Sequence, residues 1–445
     1  MFSTSPNISR LLPITATVSL NNELHIADHS VSELANQYGT PLYIYDRATI
    51  LDACKQYQKA LHSHYRASDV RILYASKAYI SPLVAQIMME QGLGLDVVSG
   101  GELSIAQYAA FPMEHISFHG NNKSEAELQL ALRLGIGRIV LDNWSELERL
   151  SSLAQEMNIQ PSVLIRVAPQ VETDTHRYLQ TGHASSKFGF SLADAKAACK
   201  HILHAKHLRL VGLHAHAGTM LREVRPYQEC LACLLDLADV MHNETGWWPQ
   251  EISPGGGWAI DTIEDNTPAL DVNILATALQ ESMERGIART KKDLLAPTLI
   301  VEPGRSIIAR AGIAVYRIGA RKSTSSGVTY LFVDGGMGDN IRPALYGATY
   351  TAIPVEGVTR VVEETVCISG RYCESGDMLI DNIQLPRLQE GDYIVLPTAG
   401  AYCLPMASNY NLVPRPAVLL IDEKQICVME RRETYADMLA RYGEV

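Results

Sequence analysis

Between about residue 70 and residue 310 the chain repeats one beat: a short apolar run, a polar tip, then a helical stretch. The runs are RILYAS, LGLDVV, HISF, RIVL, SVLIRV, LVGLHAHAG, QEIS and TLIV. The stretches between them, such as SPLVAQIMMEQ, EAELQLALRL, WSELERLSSLAQEM and PYQECLACLLDLADVMHN, are apolar at helical spacing. Near-continuous apolar strands alternating with helices require a parallel sheet buried on both faces. Eight such units predict an α/β fold closed into a (β/α)8 TIM-type barrel; an open doubly wound sheet would show fewer strands and a switch point. In such a barrel the C-terminal strand ends form the face where active sites gather. The polar tips are therefore expected to converge: Lys77, Asp96, His119, Arg166, His214, His216, Gly255, Gly256, Gly257 and the segment from Glu302 to Arg305.

After about residue 310 the texture changes to short Val-, Ile-, Tyr- and Thr-rich runs broken by Gly, Pro and Asp: AGIAVYRIGA, VTYLFVDGG, TRVVEETVCISG, DYIVLPTAG, RPAVLLI and QICVMERRET. This predicts a C-terminal all-β domain, a Greek-key-like barrel or sandwich. ITATVSL, ELHIAD and PLYIYD near the start are strand-like and expected to join it. The expected divisions are 1–45, 46–310 and 311–445, and a length of 445 suits two domains. With 38 Lys and Arg against 49 Asp and Glu, the net charge of −11 argues against nucleic acid or an anionic membrane as the main partner. No apolar run reaches the roughly 18–20 residues of a membrane span. MFSTSPNISRLLPITATVSL is a poor secretory signal and too short and weakly basic for an organellar transit peptide, so a cytoplasmic location is expected. The eight scattered cysteines read as reduced thiols, and Cys230 and Cys233 as packed helix residues.

Taken singly, the polar tips leave alternatives open. Lys77 directly follows a strand, where a desolvated amine suits Schiff-base chemistry; a salt-bridged rim lysine fits the position as well. Three glycines at 255–257 let backbone amides approach a phosphate, or make a plain strand-to-helix turn. Glu302 is placed to keep a ring nitrogen protonated, so that the ring acts as an electron sink, and Arg305 offers a fork for carboxylate or phosphate. A structural Glu–Arg pair explains both equally. His214 and His216 share a strand face, but no carboxylate at metal-ligand spacing stands out, so no metal is expected and one of them stacking on a flat ring suits better. In the β domain, Arg342, Tyr346, Tyr402 and the Cys373-Glu374-Ser375-Gly376-Asp377 loop are either site residues or solvated turn chemistry.

In order, the segments YASKAYISPLVAQIMMEQGLGLDVVSGGEL, HGNNKSEAEL, TGHASSKFGF, GLHAHAGT, GGGWAID, VEPGRSI, VDGGMGDNIRPALYG, YCESGDML and GAYCLPMASNYN resemble the fold-type III pyridoxal-phosphate decarboxylases, and among them the diaminopimelate decarboxylases. The resemblance runs from PLYIYD to RRETYADML. It implies a barrel carrying pyridoxal 5'-phosphate, a C-terminal β domain joined by the first strands, and a homodimer with shared active sites. It implies Lys77 as the Schiff-base lysine, His216 stacked on the ring and Glu302 at its nitrogen, with Asp96 and Arg166 in support. Gly256, Gly257, Gly304 and Tyr402 match cofactor contacts, and Arg305 also lies at the cofactor. Arg305, Arg342, Tyr346, Glu374 and Tyr402 match substrate binders, with Glu374 reaching in from the partner subunit, and Cys373 matches the proton donor. Two places depart from the family: Trp258-Ala259 stands where Leu-Gly is usual, and His176-Arg177-Tyr178 where His-Glu-Tyr is usual.

The implied reaction is decarboxylation of meso-2,6-diaminopimelate to L-lysine and CO2, the last step of lysine biosynthesis. The distal end of that substrate carries both charges and needs a cation and an acid to hold it, a role the resemblance gives to Arg305, Arg342 and Glu374. Rival readings are a sister decarboxylase for D-lysine, D-ornithine, arginine or a carboxy-polyamine, a non-catalytic pyridoxal-phosphate binder, and a racemase on the same barrel.

Overall fold

Each of the eight apolar runs is a strand of one closed parallel barrel: β1 (Val70–Ala75), β2 (Gly94–Val97), β3 (Ile116–Phe118), β4 (Arg138–Leu141), β5 (Ser162–Arg166), β6 (Arg209–His214), β7 (Glu251–Gly255) and β8 (Thr298–Val301). Neighbours pair in chain order, and β8 returns to β1 with Leu299 opposite Val70, which leaves no sheet edge. The computed structural model describes residues 6–169, 187–205, 207–263, 268–290 and 292–443. The barrel belongs to a unit made of residues 54–260 and 269–306; a second unit gathers residues 1–53, 261–268 and 307–445.

The barrel strands are buried along most of their length because helices cover the sheet outside while side chains fill it inside. Leu73, Val140, Leu164, Val211 and Ile300, one from each of five strands, form one cluster. Capping sets where the chain leaves the extended state and turns helical. Ser81, Ser99, Ser124 and Asn143 each accept the backbone N–H three residues on, ending the extended segment and starting a helix. At Ser124 the Glu127 side chain reaches back to the cap amide and completes a capping box. After β2 and β4 the cap follows the strand end by two residues, so the polar residues there are left at the strands' C-terminal ends.

In the second unit, Leu42–Asp46 runs between Gly312–Ser323, antiparallel, and Ala417–Ile421, parallel, at the centre of a nine-stranded sheet. Its residues are all buried, which explains a continuously apolar LYIYD. Thr17–Val18, Leu24–Ile26 and His29–Ser30 form a three-stranded sheet of their own in the same unit, with Leu24 and Ile26 in one apolar cluster with Leu42, Ile44 and Ile313. The six C-terminal runs expected to be strands are all present as strands. Two further strands are present: the two-residue Ile353–Pro354, and Met378–Leu385, which carries no clear pattern in the sequence. The latter lies at a sheet edge, and Asp381, Asn382 and Gln384 dilute its apolar alternation because that edge faces water. All eight cysteines are free, and Cys230 is buried on the helix Arg225–Thr245.

Candidate active site

The apolar strands end where the polar tips begin, so the tips meet at the barrel's C-terminal face. Lys77 sits in a one-turn helix, Ser76–Ala78, immediately after β1. Its neighbours Ser76 and Ala78 are buried, but Lys77 itself is exposed, the rim position of the two that its place in the sequence leaves open. The turn lifts the side chain off the strand and into the barrel mouth, and there its charge acts on Asp96, Glu102 and His216. Asp96 lies in β2, Arg166 ends β5, His214 ends β6, and Gly255 ends β7 with Gly256 and Gly257 just beyond. Glu302 follows β8 directly, and Gly304 and the buried Arg305 come next.

Glu302 is the centre of the cluster. It is buried, and each carboxylate oxygen has its own donor: Ser253 Oγ donates to Oε1 at 2.9 Å and His214 Nε2 to Oε2 at 3.0 Å. His119 Nε2 stands 3.7 Å from Glu302 Oε1 and 3.6 Å from Asp96 Oδ1, and its ring meets that of His214 edge-on at 4.9 Å. Burial alone would raise the Glu302 carboxyl, but His214 and then His119 outweigh it, and the group is held below the usual carboxylate range. Asp96 goes the other way: burial pushes it well up, the Glu302 charge adds to this, and Lys77 and Arg166 only partly offset the rise. Two buried carboxylates therefore share one face and are driven in opposite directions, Glu302 down by its histidine partners and Asp96 up by burial and the Glu302 charge. Burial pushes His119 and His216 below the ordinary imidazole value, and the Glu302 charge offsets this only in part.

The glycines make room by backbone approach. A Cβ on Gly256 would lie 1.9 Å from the Glu302 carbonyl oxygen, and one on Gly257, whose φ is +102°, 2.0 Å from that of Gly218. The Gly256 N–H donates to His216 Nδ1 at 3.3 Å and so fixes that ring beside the triple glycine. Trp258 turns away into packing: its buried ring lies 4.3 Å from Tyr227 and edge-on to Tyr57. The family departure at Trp258 thus fills space between helices. The departure at Arg177, with much of TGHASSKFGF, lies outside the described residues.

In the second unit, Arg342 and Tyr346 share the short helix Arg342–Tyr346. Arg342 donates to Tyr350 Oη at 2.7 Å, and Tyr402 lies near enough to act on it electrostatically. Tyr402 holds φ at +64°, a strained value for an aromatic residue of the kind that collects at functional sites. Cys373 and Glu374 are exposed on a loop held by the Cys373 N–H to Asn411. Asp377, grouped with them by its place in the sequence, is instead buried, accepting the N–H groups of Met337 at 2.6 Å and Tyr372 at 2.8 Å; it pins the loop.

Several groups at the mouth are not evident from the sequence. His119 is expected there, but its partners are not, and Ser253 and Glu102 do not stand out. Ser253 is two residues before Gly255 and so on the same strand face, a signal available in the sequence. Burial raises Glu102 to about 7, against the Val98 N–H and the Lys77 charge. The ligand atoms of His119, His214 and Glu302 lie within 4.8 Å of one another, so His214 does meet a carboxylate. That carboxylate comes from another strand, where spacing along the chain cannot reveal it.

Comparisons with known proteins agree on one group. A sequence model described as the pyridoxal-binding domain of pyridoxal-dependent decarboxylases matches residues 47–309. The diaminopimelate decarboxylase of Bacillus subtilis is 39% identical over 427 residues, covering 96% of each chain. That of Synechocystis is 38% identical and covers 98% of this chain and 93% of its own. The crystal structure of the M. jannaschii diaminopimelate decarboxylase in complex with L-lysine superposes with a TM-score of 0.88 at 30% identity, over 96% of this chain and 97% of that one.

Proposed function

Since the chain belongs to the diaminopimelate decarboxylase family of pyridoxal-dependent decarboxylases, we propose that it removes one α-carboxylate of meso-2,6-diaminopimelate to give L-lysine and CO2. The observation that carries this reading is the buried, ionised Glu302 at the mouth of a closed parallel barrel, beside Lys77 and a glycine backbone without side chains.

The barrel residues fit pyridoxal phosphate. A carboxylate has about four lone-pair sites, so Glu302, with one donor on each oxygen, keeps room to accept a ring N–H. Buried polar atoms at the same face, Asp96 Oδ1 and His214 Nδ1, have no hydrogen-bond partner among the described residues. Lys77 would hold the cofactor covalently through Nζ, His216 would lie against its ring, and Gly256, Gly257, Gly304 and Tyr402 would take the phosphate. Bound there, the cofactor supplies an electron-withdrawing ring that accepts the electron pair left by the departing carboxylate.

The protein's own residues do the rest. Glu302, ionised, holds a proton on the ring nitrogen, and Asp96 and Arg166 support the mouth around it. Arg305, Arg342, Tyr346 and Tyr402 bind substrate carboxylate, and Glu374 binds the distal ammonium. Cys373 returns a proton to the α-carbon. Exposure of Cys373 and Glu374 supports their acting on a facing copy, so the working form is a homodimer with shared sites. Free cysteines throughout support a cytoplasmic setting.

Incubating the protein and pyridoxal phosphate with meso-diaminopimelate should release CO2 and lysine, in preference to D-lysine, D-ornithine or arginine as substrate. Lys77→Ala should lose visible cofactor absorbance and activity together; retained absorbance removes Lys77 from the role. Mixed Lys77→Ala and Cys373→Ala subunits should regain about a quarter of wild-type activity if random dimers share sites, and no recovery rejects the shared site.

A further inference from the structure

The Glu302 carboxylate is held by groups from other strands, and one of them has no part in the proposed reaction. Ser253 on β7 and His214 on β6 each occupy one oxygen. His216 is engaged elsewhere, by the Gly256 N–H. His214 is buried, spends Nε2 on Glu302 and finds no partner for Nδ1 among the described residues. Behind it, His119 presses its ring edge-on at 4.9 Å and an interplanar angle of 69°, which restricts rotation of the His214 ring. The charged and titratable groups facing Glu302 are thus Asp96 from β2, His119 after β3, Arg166 from β5, His214 and His216 from β6, with Lys77 at the mouth.

We propose that His214, backed by His119, is a positioning residue: it fixes the orientation and the charge of the Glu302 carboxylate and acts on the reaction only through it. The inference rests on the reading of Glu302 as the ring-nitrogen partner. Its physical basis is that a buried carboxylate with only Ser253 as donor would be pushed toward its protonated form, and a protonated acid no longer stabilises a protonated ring. The His214 bond is charge-assisted and buried, so its removal should be felt strongly.

The test uses the holoenzyme. His214→Phe keeps a flat ring against His119 and deletes the donor; His214→Gln restores an N–H near the position of Nε2. For His214→Phe, kcat should fall about ten- to hundredfold with KM within about threefold. The pH at which the resting cofactor's visible band changes should shift, and the affinity of the apoprotein for pyridoxal phosphate should fall about tenfold. His214→Gln should recover kcat to within about tenfold of wild type. In a Glu302→Gln background, adding His214→Phe should change kcat by less than about threefold, because the partner it acts through is already gone. Unchanged kcat and band position in His214→Phe, a Gln variant no better than Phe, or additive losses in the double variant each overturn the proposal. If His214→Phe does not fold, His214→Leu gives the same comparison. A severe Glu302→Gln with a silent His214→Phe sinks this inference alone; a silent Glu302→Gln sinks the reading of Glu302 and this inference with it.

Discussion

Lys123 offers the sharpest test of how the barrel mouth is held together. Its ammonium is buried and each of its three protons has an acceptor: the carbonyls of Gly120 and Val140, both at 2.8 Å, and Glu146 Oε1 at 2.6 Å. The bond to Gly120 ties the loop carrying His119 to β4, whose end carries Asp142 opposite Arg166. Burial pushes Lys123 down and Glu146 up, and their attraction offsets this only in part. An intact pair of this kind adds little net stability, whereas breaking it is costly. Lys123→Met strands a buried carboxylate and two carbonyls, for a loss of about 4 kcal/mol. At roughly 2–4 °C per kcal/mol for a unit of this size, the melting temperature should fall by about 8–16 °C. All four tryptophans, at 144, 247, 248 and 258, belong to the barrel unit, so their fluorescence reports its unfolding. The deficit should shrink as pH is lowered. Without Lys123, the folded Glu146 pKa rises further above its unfolded value, so the native state binds the proton first and gains stability as pH falls through that range. The double variant Lys123→Met/Glu146→Leu should recover most of the loss, since no charge is then left buried. A single-variant loss under about 1 kcal/mol, or a double variant no better than the single, refutes the reasoning.

Asp339 in the second unit predicts the opposite of ordinary acid sensitivity. Burial raises it to about 6 despite hydrogen bonds from Tyr316, Tyr43 and the Gly336 N–H. Its folded pKa lies above the unfolded one, so stability should rise as pH falls from about 7 toward 4, by up to roughly 3 kcal/mol. Calorimetry of Asp339→Asn should lack that slope, and an identical slope removes Asp339 as its source. Gly256→Ala would put a Cβ 1.9 Å from the Glu302 carbonyl oxygen, in backbone that cannot yield cheaply. It should cost about 2–3 kcal/mol and weaken cofactor binding in a spectral titration; wild-type binding would show that the approach is not needed. Trp258 is buried with its indole N–H unpartnered among the described residues. Trp258→Phe should therefore unfold within about 1 kcal/mol of wild type, while Trp258→Ala should lose about 3–5 kcal/mol in denaturant melts.

The barrel is legible in the sequence because its signal is local and repeated. Eight apolar runs with polar tips can bury themselves in only a few ways, and the side-chain-free turn at 255–257 or the lysine after RILYAS is visible as a string of letters. Strand order, the face on which Lys77, Asp96, Arg166 and Glu302 emerge, and the apolar centre formed by LYIYD all rest on patterns within a few residues. Met378–Leu385 escapes for the same reason, since a half-wet edge strand has weak alternation. The charge assignments are not legible. Glu302 and Asp96 are both acids at strand ends, and nothing in their neighbours along the chain says that one is held down and the other pushed up. His214, 88 residues from Glu302, and Ser253, 49 residues from it, decide that by donating to the same carboxylate. Lys77 is exposed because a single turn after β1 lifts it off the strand. Sequence determines which groups reach the barrel's mouth, because that depends on short-range periodicity. Only the folded chain determines their protonation and mutual support, because those depend on burial and on partners brought together by ring closure.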